Sequence, residues 1–125
     1  MQLMVNFSLE KQKTAGFSWL EGCFKKIEKK GVDYLRREYK IPHMGWNNLQ
    51  FEYKYHPVLE NISENEQFYF VHSFYVPENK YSVALTNYGI RFSAAIQKDN
   101  FYAVQFHTEK SGDAGEQILK QFLEL

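Results

Sequence analysis

The chain has 125 residues, 44% of them hydrophobic and 18% aromatic, which is enough to bury a core and limits it to one domain over residues 1–125. Fifteen basic residues balance fifteen acidic ones, so the overall charge favours neither nucleic acid nor an anionic membrane surface as a partner. The single cysteine, Cys23, cannot form an internal disulfide, and His43, His56, His72 and His107 lack the spacing of a zinc site, so neither metal nor cofactor is expected.

No apolar run approaches the ~20 residues of a membrane span. The start "MQLMVNFSLE" lacks the charged head and long apolar stretch of a secretory signal. A cytoplasmic protein is expected. Leu3, Met4 and Phe7 recur at helical spacing and predict a short amino-terminal helix, ended by the polar run before Thr14, Ala15 and Gly16. "GFSWLEGCFKKI" predicts a strand with an irregularity at Gly22, and the charged "EKKGVDYLRREYK" a solvated turn or loop. "WNNLQFEYKY" predicts a further strand, and "HPVLENISENEQ" a connection with one helical turn.

Residues 68–76, "FYFVHSFYV", are apolar on both faces, the pattern of a central strand covered on both sides. "YSVALTNYG", "IRFSAAIQKDN" and "FYAVQFH" follow as strands, divided by turn signals at Asn87 to Gly89 and Lys98 to Asn100, the hairpin spacing of antiparallel neighbours. Ser111 is placed as an N-cap with Asp113 in the first turn. Ile118, Leu119, Phe122 and Leu123 then form the apolar stripe of a closing helix over residues 111–124. The fold class is α/β, a mixed and largely antiparallel sheet with a short amino-terminal helix and a carboxy-terminal helix. Two helices are little cover for a strand as apolar as residues 68–76, so part of the fold is expected to be missing.

The chemistry concentrates in "QFHTEKSGDAG", residues 105–115. Residues two apart in extended chain point to the same side, so Glu109 is placed to hold one ring nitrogen of His107 while the other faces a nucleophile. That is two thirds of a triad, and H-x-E alone is a weak pattern. Cys23 lies mid-strand in "LEGCFKK", without the glycine-flanked strand-to-helix turn that exposes a reactive thiol. Ser111 is too near His107 in sequence to face it.

"PHMGWNNL" at 42–49, "YFVHSFY" at 69–75 and "VQFHTEKSGDAGEQIL" at 104–119, in this order and spacing, resemble the glutaminase subunit of imidazole glycerol phosphate synthase, within the class I (triad) glutamine amidotransferase family. In that family a cysteine in a G-x-C-x-G elbow attacks the side-chain amide of glutamine, and the elbow runs into a helix beginning "MQL". The chain begins Met1-Gln2-Leu3, so the resemblance is to the carboxy-terminal part of the fold, cut just after the elbow. It implies His107 as general base and acid and Glu109 as its orienting partner. Gln2 and Glu10 resemble groups that hold the amino-acid end of glutamine. Ser73 and Phe74 match the segment whose backbone lies along that substrate, with phenylalanine where tyrosine is usual. His43, Met44, Trp46, Asn47, Tyr69 and Lys110 resemble the surface that meets the cyclase subunit, a TIM barrel through which the ammonia travels. Thr108 departs from the family's proline and leaves φ between His107 and Glu109 less restrained.

Each position also has an ordinary reading: Gln2 and Glu10 as surface polar residues, Trp46, Tyr69 and Ser73 as packing, His72 as a satisfied core histidine, Lys110 as a solvated charge. The resemblance implies a glutaminase supplying ammonia for imidazole glycerol phosphate formation in histidine biosynthesis, truncated and without its nucleophile. A paralogue feeding a sugar-modifying partner in surface polysaccharide synthesis, a non-catalytic docking module and a hydrolase using Cys23, His107 and Glu109 are the alternatives.

Overall fold

The computed structural model describes residues 1, 5–8, 14–15, 20–28, 38–53 and 55–125, with backbone alone for residues 5–8, 14–15 and 20–23. The described strands, in chain order, are β1 (Val5–Ser8), β2 (Thr14–Ala15), β3 (Leu20–Lys26), β4 (His43–Asn48), β5 (Gln50–Phe51), β6 (Gln67–His72), β7 (Phe74–Pro77), β8 (Ser82–Asn87), β9 (Arg91–Lys98) and β10 (Phe101–Val104). One helix, α1 (Gly112–Leu123), closes the chain. Of the charged run at 28–40, residues 29–37 lie outside the described residues.

The strands form two sheets. The larger has the order β2-β1-β3-β7-β9-β8-β5, with β10 also paired to β9; the smaller is β4 with β6. Every pairing is antiparallel except that of β1 with β3. Strand β9 lends one edge to β8 and divides the other between β7 at its start and β10 at its end. The β8–β9 hairpin closes through Tyr88, Gly89 and Ile90. Gly89 has φ +72°, and a Cβ there would sit 3.1 Å from the Tyr39 ring, so the turn needs glycine twice over.

Two expectations are corrected. Val5–Ser8 is extended, not part of a helix. A helix confined between residue 1 and the polar run before Thr14 reaches at most the roughly 12–15 residues at which isolated helices are still marginal, and β-branched Val5 loses side-chain freedom in one. The run at 68–76 is two strands, not one central strand: it breaks at Ser73, and β6 and β7 enter different sheets. Its first half alternates, with Phe68, Phe70 and His72 buried and Tyr69 and Val71 only partly so. The strands covered on both faces are instead β8 and β9, where Ser82 to Thr86 and Phe92 to Ile96 are all buried. Their small side chains, Ser82, Ala84, Ser93, Ala94 and Ala95, let layers approach from both sides.

The expected irregularity at Gly22 has a counterpart in the β1–β3 register, where Val5 pairs Leu20 but Phe7 pairs Cys23, one residue too many on β3. The main core gathers Phe68, Phe70, Phe92 and Phe106 with Ala114 and Ile118 of α1. Phe106 fixes the geometry that follows, with ring centroids 4.6 Å from Phe68 and 5.8 Å from Phe70.

Candidate catalytic dyad and docking face

Strand β6 holds the His107 segment. Phe106, buried on Phe68 and Phe70, brings the chain to the edge of β6, where the His107 N–H donates to the Tyr69 carbonyl at 2.9 Å. Thr108–Lys110 then makes one 3₁₀ turn, with Lys110 N–H donating to His107 C=O and Ser111 N–H to Thr108 C=O, both at 3.1 Å. The Ser111 hydroxyl donates to the His107 carbonyl at 2.6 Å and accepts the Tyr69 N–H at 3.0 Å. One buried hydroxyl, 2% exposed, thereby ties strand to turn.

Ser111 occupies the N-cap position of α1 as expected, but its side chain caps nothing in the helix. Without it the Tyr69 N–H would be buried and unpaired, and that need outweighs an amide in an exposed first turn. Behind the turn, a Cβ on Gly115 would lie 2.0 Å from the Thr108 carbonyl oxygen and 2.9 Å from Ser111 Cβ, so α1 reaches the turn only because this residue is glycine. Thr108, where proline was expected, is thus held by hydrogen bonding and by the helix behind it.

Within the turn, His107 Nδ1 lies 2.7 Å from Glu109 Oε1, the two side chains being 39% and 61% exposed. A carboxylate only accepts, so the ring hydrogen sits on Nδ1 and Nε2 is left as the basic nitrogen. The His107 hydrogen bond, aided by the residue's own backbone N–H, holds the Glu109 carboxyl below its ordinary range. In so exposed a pair, orientation counts for more than energy.

The neighbouring face of β4 is apolar and open. Met44 is 61% and Trp46 53% exposed. Trp46 stands opposite Tyr69 in register, with ring centroids 5.6 Å apart. Tyr69 is also the residue that anchors the dyad, so it lies between Trp46 on β4 and the turn that carries His107, Glu109 and exposed Lys110. His43 does not belong to this surface. It is 2% exposed, with its ring stacked on Tyr88 and Phe70, because the alternation of β4 turns it inward while Met44 and Trp46 face out. Asn47 is half-buried and donates its amide to the Asn87 carbonyl at 2.8 Å.

Ser73 and Phe74 are half-buried at the break between the sheets, with the Ser73 carbonyl accepting from Ile27 N–H at 2.8 Å. Gln2 and Glu10 lie outside the described residues. The backbone of Cys23 pairs with β1; its side chain is outside the description. Among the described residues no group of three His, Cys, Asp or Glu side chains could hold a metal, and no helix is long and apolar enough to cross a membrane.

The family described as glutamine amidotransferase class-I matches residues 1–125. The chain belongs to this family. Curated proteins similar to it are named "Imidazole glycerol phosphate synthase subunit HisH". That of Buchnera aphidicola from Schizaphis graminum is 46% identical over 125 residues, all of this chain and 60% of the relative. That of Haemophilus influenzae (strain KW20) is 45% identical over 124 residues, 99% of this chain and 58% of the relative. That of Bacteroides fragilis NCTC 9343 is 51% identical over 90 residues, 72% of this chain and 45% of the relative. The chain thus spans at most about three fifths of the length of these relatives.

The parts played by Ser111 and Gly115 in this family member did not emerge from its sequence. The signal was present: a serine four residues and a glycine eight residues after the histidine lie one and two helical turns on, where small groups permit close approach.

Proposed function

We propose that this chain carries the proton-transfer part of a glutaminase that supplies ammonia to a partner subunit for imidazole glycerol phosphate formation in histidine biosynthesis. The observation that carries the reading is the 2.7 Å His107–Glu109 pair, with its free Nε2, on a turn anchored to β6, the strand paired with β4 and its open Trp46 face. In the reaction Nε2 takes the proton of a cysteine thiol as the thiolate attacks the glutamine amide, and then returns it to the leaving ammonia. Glu109 keeps the ring in the required tautomer and stabilises the imidazolium. The backbone of Ser73 and Phe74 lies along the substrate, and Gln2 and Glu10 meet its amino-acid end. Met44, Trp46, Tyr69 and Lys110 form the docking surface for a cytoplasmic cyclase with a TIM barrel, while Asn47, like His43, lies on the other side of β4. The relatives' names support this pathway over polysaccharide amidation. Cys23, mid-strand in β3, is not the nucleophile; the dyad serves a cysteine outside residues 1–125.

The test is ammonia release from glutamine by the 125-residue chain, alone and mixed with a polypeptide carrying the portion of the Haemophilus influenzae relative that the chain does not match. Release should appear only in the mixture and disappear with His107→Ala. His107-dependent release by the unaided chain would return the nucleophile to Cys23. Two pieces that associate without hydrolysing glutamine would sink the glutaminase reading.

A further inference from the structure

Strands β4 and β6 are joined by more than their ladder. His43 and His72 stand opposite each other in register, both buried, with His43 Nδ1 2.9 Å from His72 Nε2. The groups at either end determine which nitrogens carry hydrogen. His72 Nδ1 lies 2.8 Å from the Phe74 carbonyl, which can only accept, so the hydrogen is on Nδ1 and Nε2 is an acceptor. His43 Nδ1 must therefore donate to it. The remaining acceptor, His43 Nε2, faces the Asn47 amide nitrogen at 3.5 Å, and that amide also donates to Asn87. The result is one directed chain: Asn47 amide to His43, His43 to His72, His72 to the Phe74 carbonyl. Every hydrogen of the two rings' nitrogens is placed by its neighbours.

The two ends of this chain matter. It begins on β4, whose opposite face presents Met44 and Trp46 to solvent. It ends at Phe74, one residue past the Ser73 break, in the segment whose backbone is assigned above to lie along glutamine. We propose that His43 and His72 are positioning residues that make the Ser73–Phe74 backbone respond to a partner docked on Met44 and Trp46. The inference rests on the glutaminase reading and adds to it the route by which docking reaches the substrate. Stacking on Tyr88 and Phe70 keeps the His43 ring from turning independently of β4, so a displacement of the strand is passed to His72 and not absorbed. His72 spans the Ser73 break and fixes the direction in which the Phe74 peptide faces.

The chain can be cut at each link by a single substitution. His72→Asn keeps an amide donor in the place of Nδ1 for Phe74 but loses the acceptor for His43. His43→Phe keeps the ring stack and loses the donor. His43→Asn restores a donor in the place of Nδ1. The readout is the factor by which the partner subunit raises kcat/KM for glutamine in the complete enzyme, with thermal melts to establish that each variant folds. Coupling between sites typically amounts to about 5–150-fold. His43→Phe and His72→Asn should lose at least about fivefold of the partner's stimulation, and His43→Asn, which restores the donor without the stacked ring, should recover only part of it. If folded His43→Phe and His72→Asn are stimulated as strongly as the unchanged enzyme, the relay is overturned while the glutaminase reading stands. If the unchanged complex shows no stimulation at all, the docking reading fails and takes the relay with it.

Discussion

The two sheets of this molecule are held in different ways. In the β8–β9 region of the large sheet, Ser82 to Thr86 and Phe92 to Ile96 are buried on both faces, and ladder hydrogen bonds and burial do most of the holding. In the small β4–β6 sheet, side-chain bonds supplement the ladder: His43 joins the two strands through His72, while Ser111 ties β6 to the His107 turn and Asn47 ties β4 to the end of β8. Burial is non-directional, so the β8–β9 region rests chiefly on suitable volumes, with one buried side-chain bond across it, between the Ser82 and Ser93 hydroxyls at 2.7 Å. A hydrogen bond depends on angle and partner, so the small sheet needs particular atoms, and it is this sheet that carries the dyad.

The comparison is tested most severely by removing volume from the core. Phe92→Ala should cost about 3–5 kcal/mol in urea denaturation, since the ring is fully buried against Phe70, His72 and Tyr75. A much smaller loss would mean that the large sheet does not depend on packing as described. Next comes Gly115→Ala, which should cost about 1–3 kcal/mol by overpacking against the Thr108 backbone and move His107 away from Glu109. A crystal structure of that variant with the pair still at 2.7 Å would contradict the close approach.

Ser111→Ala removes few atoms but strands the Tyr69 N–H, for about 1–3 kcal/mol. Ser111→Thr should retain most of that stability, which separates hydroxyl from volume and so sharpens the contrast between sheets. Acid should act on the small sheet as well. Burial, with some help from His72, pushes His43 down to about 3, and burial also pushes His72 down against the opposing pull of the Phe74 carbonyl. Between the ordinary histidine value near 6.5 and about 3, the unfolded chain binds protons that the native His43 refuses, so stability falls as pH falls through that window. The slope is up to about 1.4 kcal/mol per pH unit for each such proton. Urea midpoints that stay level between pH 6.5 and 4.5 would show that the pair is not held neutral. The smallest effect belongs to the exposed face: Trp46→Ala should shift stability by no more than about 0.5 kcal/mol while weakening partner binding.

By itself, the sequence determined what local chemistry determines. The β8, β9 and β10 strands followed from turn residues at Asn87 to Gly89 and Lys98 to Asn100, and α1 from the spacing of Ile118, Leu119, Phe122 and Leu123. The dyad was legible because two residues only two apart in the chain make it. What the sequence left undecided depends on partners distant in the chain. Hydropathy made 68–76 one strand, yet the break at Ser73 is stabilised by His72 reaching the Phe74 carbonyl and by Ile27 taking that of Ser73. Helical spacing at the start suggested a helix, but Val5–Ser8 takes its place from pairing with β2 and β3. His43 stood in a motif that pointed to the surface, and only the strand opposite turned it into a buried donor to His72. Ser111 carried the composition of a cap, and only the unpaired amide of Tyr69, 42 residues away, decided where its hydroxyl went. Pattern along the chain fixes which way a side chain prefers to face, but the deciding energy is the cost of leaving a buried polar group alone, and that is known only once the distant partner is in place.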